Sequence, residues 1–208
     1  MTPIQYFDLL WERANHLKVL HEFLDGEVTA ILEPDELLRS EWIARVSALD
    51  LYIHESIAQN MLAIFEGRRP TSSAYLKYQI SIATLSRIQS AASSTDASSA
   101  FDLDIRQRHD KLSFQAPDKI ADGIRLISDI SLWSTIVETL GAPPAKIALA
   151  SKDLKRELSL IVMRRNKIAH EGDLLPGAIR TPLPISRVDL DQASNVIDKI
   201  VRTIDIII

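Results

Sequence analysis

Apolar residues return at three- and four-residue steps along most of the chain, the spacing that gathers them on one side of a helix. From about Pro3 to Leu24 the stripe is Phe7, Leu10, Trp11, Ala14, Leu17 and Leu24, with His21 in its one gap. A packed or hydrogen-bonded His21 is expected there, and Asp25-Gly26 mark the helix end. Pro34 followed by Asp35 and Glu36 opens a second helix, since proline suits the first turn and acids suit its dipole. Leu38, Trp42, Val46, Leu49, Ile53, Ile57 and Met61 carry it to Glu66, with Gly67 as its stop. Tyr75, Tyr78, Ile82, Leu85 and Ile88 predict a helix over about 74–89.

The stretch Ser90–Ala100 contains only Ala, Ser, Thr and one Asp, which predicts a loop. Phe101–Leu112 is a mixed-charge run expected to form a short solvated helix, in which His109 is a weak candidate for chemistry. After the turn Phe114-Gln115-Ala116-Pro117, Asp118 is the expected N-cap of a helix through Ile120, Ile124, Ile127, Ile130, Trp133 and Val137 to Leu140. Gly141-Ala142-Pro143-Pro144 stops it. The next helix begins by Ser151 at the latest, with Pro144 as its earliest start; its stripe is Leu154, Leu158, Ile161, Val162, Arg165, Ile168 and Ala169, and Gly172 is the expected C′ residue. A last helix covers about 186–208 and ends on Ile206-Ile207-Ile208, which either packs back on the core or meets another subunit. No strand periodicity competes, so the expectation is one all-α domain over 1–208, a bundle of about six helices without internal repeats.

Apolar residues at 46% and charged residues at 25% are the balance of an ordinary folded domain, and 208 residues can enclose a sizeable core. The absence of cysteine excludes disulfides and thiolate chemistry, and with it a reducing cytoplasm is the expected location. No apolar run of membrane-spanning length occurs, and Met-Thr-Pro-Ile-Gln-Tyr lacks the order of a signal peptide, so no membrane association is expected. With a formal net charge of −4, binding to a polyanion would require a local basic patch.

Arg164 to Asp173 supplies such a patch at a helix end. Arg165 sits near the centre of an apolar stripe, where a guanidinium needs an anionic partner. His170 falls in the last turn and can exchange protons, Asn166 adds neutral donors, and Arg164 and Lys167 add phosphate-binding charge. Histidine for proton transfer and arginine for charge building on phosphorus suit cleavage of a phosphodiester by the neighbouring 2′-hydroxyl. Neither a Ser/His/Asp arrangement, nor a phosphate-cradling glycine loop, nor a metal-ligand cluster is visible, so no metal or cofactor is expected. On the second helix Asp50 lies about 40° from Val46, with His54 one turn on. Asp50 is expected either to bind a backbone group or structural arginine, or to position the Arg165 guanidinium with His54 nearby. Positions five apart on a helix point about 140° from each other, so Arg165 and His170 cannot share a face. Either the helix unwinds near Ala169-His170 or a second copy of the chain completes the site. A structural helix end with a buried salt bridge is the competing explanation for both residues.

The run Arg165-Asn166-Lys167-Ile168-Ala169-His170 resembles the R-x4-H motif of the HEPN superfamily, with a polar residue after the arginine. Ser47–Glu55, Phe114–Ile120 and the extension Ile168–Asp173 further resemble the RiboL-PSP-type HEPN branch, over about residues 35–175 and in the right order. The resemblance implies a HEPN-like helical bundle that dimerises, pairing two motifs in a cleft that cuts RNA without metal, often in toxin–antitoxin, restriction or antiphage systems. It assigns catalysis to Arg165 and His170 and an assisting role to Asn166, with an antitoxin or defence-system partner as a possible addition. Two other outcomes remain open: a non-catalytic HEPN module that binds RNA or a partner protein, and an interaction domain that uses the apolar C-terminus.

Overall fold

A computed structural model describes residues 1–25, 34–177 and 179–208, so the expected stop at Gly26 lies outside the described residues. Helix α1 spans Pro3–Leu24. The Thr2 hydroxyl accepts from the Gln5 N–H while the Gln5 side chain accepts from the Thr2 N–H, satisfying two donors at the helix start. Helix α2, Asp35–Phe65, is the long central element and ends at Gly67, whose φ of +72° is a conformation that glycine adopts without strain. It packs against α1 and against four helices defined below, and its Val46, Leu49, Ile53 and Ile57 are wholly enclosed. His21 is buried against the start of α2, as expected of a packed histidine, with Nε2 3.6 Å from Asp35.

Arg45 locks α1 to α2. Its Nε donates to Glu41 at 3.0 Å, Nη2 to the Asn15 side chain at 2.7 Å and Nη1 to the Trp11 carbonyl at 3.1 Å, with the guanidinium over the Trp11 ring. Both members of this ion pair are buried.

Three expectations are corrected between Arg68 and Leu140. The stripe over 74–89 is not one helix: a 3-10 turn at Tyr75–Lys77 is followed by an extended step and then by α3, Ile82–Gln89, capped by Ser81. Ile82 and Leu85, which belong to the expected stripe, are in fact exposed. Ser90–Ala100 is not a loop throughout, because Ser93 caps α4, Ser94–His109, by accepting from the Asp96 N–H. Alanine costs little to hold in a helix, and the second half of α4 anchors the first, with Phe101 stacked on Phe65 at 4.6 Å. The helix expected over 118–140 is two: α5, Pro117–Arg125, and α6, Leu132–Thr139. Ala116 takes the N-cap position, with Pro117 and Asp118 in the first turn of α5. The break between them is held from outside, where Ser72 donates to the Arg125 carbonyl and the Ser73 N–H donates to Asp129 at 3.0 Å.

Helix α7, Ile147–Glu171, follows a 3-10 turn at Pro144–Lys146, and α8 spans Arg187–Ile207 from a capping box formed by Ser186 and Asp189. Ile207 and Ile208 pack against the core while Ile206 is exposed, so the apolar end folds back. The fold is all-α, with eight α-helices rather than about six among the described residues, and an isolated bridge between Leu174 and Pro182. Helices α4, α5, α7 and α8 surround α2.

Because Glu41 is sealed in, removing its partner is costly. Arg45→Ala is expected to lower stability by about 3–5 kcal/mol in urea unfolding, while Glu41→Leu/Arg45→Met, which removes both charges at similar volume, recovers most of that loss.

Candidate active site

The end of α7 is built on α2. The Trp42 indole donates to the Ile161 carbonyl at 3.0 Å, and Leu158, Ile161 and Val162 are buried beside it. The helix then runs unbroken through Ala169 and His170 to Glu171. Gly172 at φ +63° and Asp173 at φ +55° stop it, both donating their N–H groups to the Lys167 carbonyl. Asp173 has no exposed surface; its carboxylate accepts from Arg39 Nε at 3.3 Å and from Arg164 Nη2 at 2.8 Å. Arg39 also donates to the Leu183 carbonyl and Arg164 to that of Pro184, and the Arg164 guanidinium lies over the Trp42 ring. The phosphate-binding role expected of Arg164 is therefore corrected: its charge is neutralised inside the fold by Asp173. Asp173 closes the segment singled out in the sequence, but its role as the buried partner of two arginines is not visible there; an Asp directly after a helix-stopping glycine is a residue type that tolerates left-handed backbone.

Arg165 turns the other way, towards a cavity of about 770 Å³ bounded by α7, the 111–116 segment and the start of α5. Among the described residues no carboxylate pairs with it; Nη1 donates to Asn166 Oδ1 at 3.1 Å and the buried Nε has no partner. The buried salt bridge that would have made Arg165 purely structural is thus not formed within the described part of the chain. His170 is exposed and does not line the cavity. Lys167 is half-buried, and neither its side chain nor that of His170 is hydrogen-bonded among the described residues. Since the helix does not unwind, the roughly 140° between Arg165 and His170 stands. His170 shares its side of α7 with Met163, about 20° away, and Leu160 lies at the edge of that side, about 80° away. Leu160 and Met163 are 57% and 65% exposed, large apolar groups facing solvent.

Of the two outcomes expected for Asp50, the tie to a backbone group is the one present: it accepts from the Phe114 N–H at 2.6 Å and from Gln115 Nε2 at 2.8 Å, so it holds the opposite wall of the cavity and does not position the Arg165 guanidinium. His54 Nε2 is 3.7 Å from Asp50, and its ring meets Phe114 edge-on at 4.7 Å between centroids. Gly123 lets α5 close on this wall, since a Cβ there would run into Ile57 Cδ1 and come within 3.0 Å of Phe114. Gln115, Lys111 and Lys119, which line the cavity, were singled out by no pattern of their own. Only the resemblance over Phe114–Ile120 pointed at this segment.

A profile of the RiboL-PSP-HEPN family matches residues 8–208. The chain belongs to the RiboL-PSP-HEPN family. The match takes in most of α1 and the whole of α8, beyond the 35–175 span on which the sequence resemblance rested. No curated protein and no solved structure matches the chain. Membership in the HEPN family brings a ribonuclease-like or RNA-binding function in general terms. Among the described residues, no helix is long and apolar enough to cross a membrane, and no group of three or more histidine and carboxylate side chains is placed to hold a metal ion.

Behind Phe114 in this HEPN domain lies His109, buried, with its ring 5.6 Å from that of Phe114 and Nδ1 without a partner. Burial, helped by the neighbouring His54 and Arg108, pushes His109 down to about 4. The folded state therefore prefers neutral imidazole, and as pH falls the unfolded chain takes up the proton first, near pH 6.5. Stability present above about pH 6.5 is lost between there and pH 4. His109→Gln is expected to shrink the stability difference between pH 7 and pH 4.5 by about 2 kcal/mol, measured by urea unfolding of both proteins at the two pH values.

Proposed function

We propose that this HEPN chain is a metal-independent endoribonuclease that acts as a homodimer. The observation that carries this reading is an unpaired arginine in a cavity together with a histidine on the far side of the same unbroken helix. One copy offers the Arg165 side of the site and the His170 side of another, so two copies complete each other. The exposed Leu160 and Met163 beside His170 support contact with a second copy along α7, because large apolar groups gathered on one face favour burial in an interface.

In the reaction, His170 takes the proton from a ribose 2′-hydroxyl, whose oxygen attacks the adjacent phosphorus. Arg165, steadied by Asn166, holds the charge that builds on the phosphoryl oxygens. As the phosphorus–5′-oxygen bond breaks, the leaving oxygen takes a proton from water and His170 returns its own to solvent, giving a 2′,3′-cyclic phosphate and a 5′-hydroxyl. Lys167 adds positive charge on the His170 side. Asp50 and His54 support the site indirectly through the Phe114-Gln115 wall. Such an activity fits a cytoplasmic toxin–antitoxin, restriction or antiphage system, with an antitoxin or defence protein restraining it.

His170→Ala and Arg165→Ala are each expected to slow RNA cleavage by about a hundredfold or more, with unchanged circular dichroism and no inhibition by EDTA in the parent protein. Co-expressing the two variants so that mixed dimers form is expected to restore part of the activity, because one composite site regains both side chains. RNA retention without products by the parent protein would instead indicate a non-catalytic binding module, and loss of activity in EDTA would overturn the metal-free mechanism.

A further inference from the structure

The cavity beside Arg165 has the size of a small-ligand site. Its lining combines apolar groups, Leu112, Ala116 and Val162, with the cations Lys111, Lys119 and Arg165 and one acid, Asp122, which Arg125 pairs. Lys111 and Lys119 are exposed and form no ion pair among the described residues. Gln115, in contrast, is buried in the wall and oriented from behind. An ionised carboxylate only accepts hydrogen bonds, and both Asp50 oxygens are engaged, one by the Phe114 N–H and one by Gln115 Nε2. The amide of Gln115 can satisfy Asp50 only with its nitrogen. Gln115 lines the cavity, and its carbonyl oxygen Oε1 is reached by no donor among the described residues.

Resting on the ribonuclease reading, in which Arg165 holds a phosphate, we infer that this cavity receives the base attached to that phosphate and that Gln115 selects it. Oε1 accepts from the amino group at C6 of adenine or C4 of cytosine, while guanine and uracil carry a carbonyl at those same positions and meet Oε1 there acceptor to acceptor, the amino group of guanine being at C2. Lys111 and Lys119 take the flanking phosphates of a single strand. Asp50 is a positioning residue: it fixes which end of the Gln115 amide faces the substrate.

This arrangement makes Asp50→Asn an inversion and not merely a loss. The Phe114 N–H still needs an acceptor, so the carbonyl oxygen of the substituted side chain turns to it and the new amide nitrogen faces Gln115. Gln115 must then rotate, offering Oε1 to that nitrogen and its own NH2 to the cavity. The experiment compares binding of fluorescent octamers of A, C and U to His170→Ala protein, and cleavage of the same sequences by protein with His170 intact. A and C are expected to bind about three- to tenfold more tightly than U, the weight of one hydrogen bond, and to be cut faster. Gln115→Met should level the three, and Asp50→Asn should move preference towards U, a change that simple loosening of the wall does not produce. Cleavage of all three at equal rates with no effect of Gln115→Met would overturn the inference and leave the ribonuclease reading standing. Binding that discriminates A and C from U without any cleavage would do the reverse.

Discussion

Asp173 has no contact with solvent, and its charge is tolerable there only because the guanidinium groups of Arg39 and Arg164 close on one of its oxygens. That contact joins the start of α2, the end of α7 and the returning segment at Leu183 and Pro184. It also sets where α7 stops. With Gly172 and Asp173 both bonded to the Lys167 carbonyl, the last turn stays helical through His170. The separation of Arg165 from His170 around the helix follows from this, so the two residues lie on different faces of α7.

The same requirement, that a charge inside the fold be met, distinguishes the arginines from one another. Arg39, Arg45 and Arg164 lie on or beside apolar faces and each is matched by a carboxylate. Arg165 is placed similarly along the stripe of α7, yet only the neutral Asn166 side chain answers it among the described residues. An arginine left in this state faces a cavity, whereas its neighbour Arg164, identical in residue type and adjacent in sequence, is turned inward to a carboxylate. Across the cavity Asp50 shows the converse case, a carboxylate on an apolar face satisfied entirely by donors from the 114–115 segment. It organises the wall and leaves the guanidinium opposite untouched.

The long helices are legible because their signals are local. A stripe that repeats every turn, an acid or proline at the start and a glycine at the end are read within a few residues; α2 carries all three, and α1, α7 and α8 carry the stripe with a signal at one end. The shorter elements are not, because distant groups interrupt or support them. The apolar spacing continues through Ile127 and Ile130, but Ser72 and Ser73 bind the backbone and Asp129 there and end the helix. The serine-rich start of α4 has no apolar stripe of its own, and is ordered by its cap and by Phe101 packing on Phe65.

From the sequence alone came the all-α class, the R-x4-H segment at a helix end, the angular conflict between Arg165 and His170, and the oddity of Asp50 on an apolar face. All of these depend on residue type and helical period, which act over one or two turns. What only the tertiary structure decided is which charges find partners: Asp50 meets groups 64 and 65 positions away, and Asp173 meets Arg39 at a separation of 134. Such pairings depend on how whole helices return to one another, and no local pattern encodes that path. They turn Arg164 inward to Asp173, leave Arg165 without a carboxylate among the described residues, and hold the Gln115 amide nitrogen on Asp50.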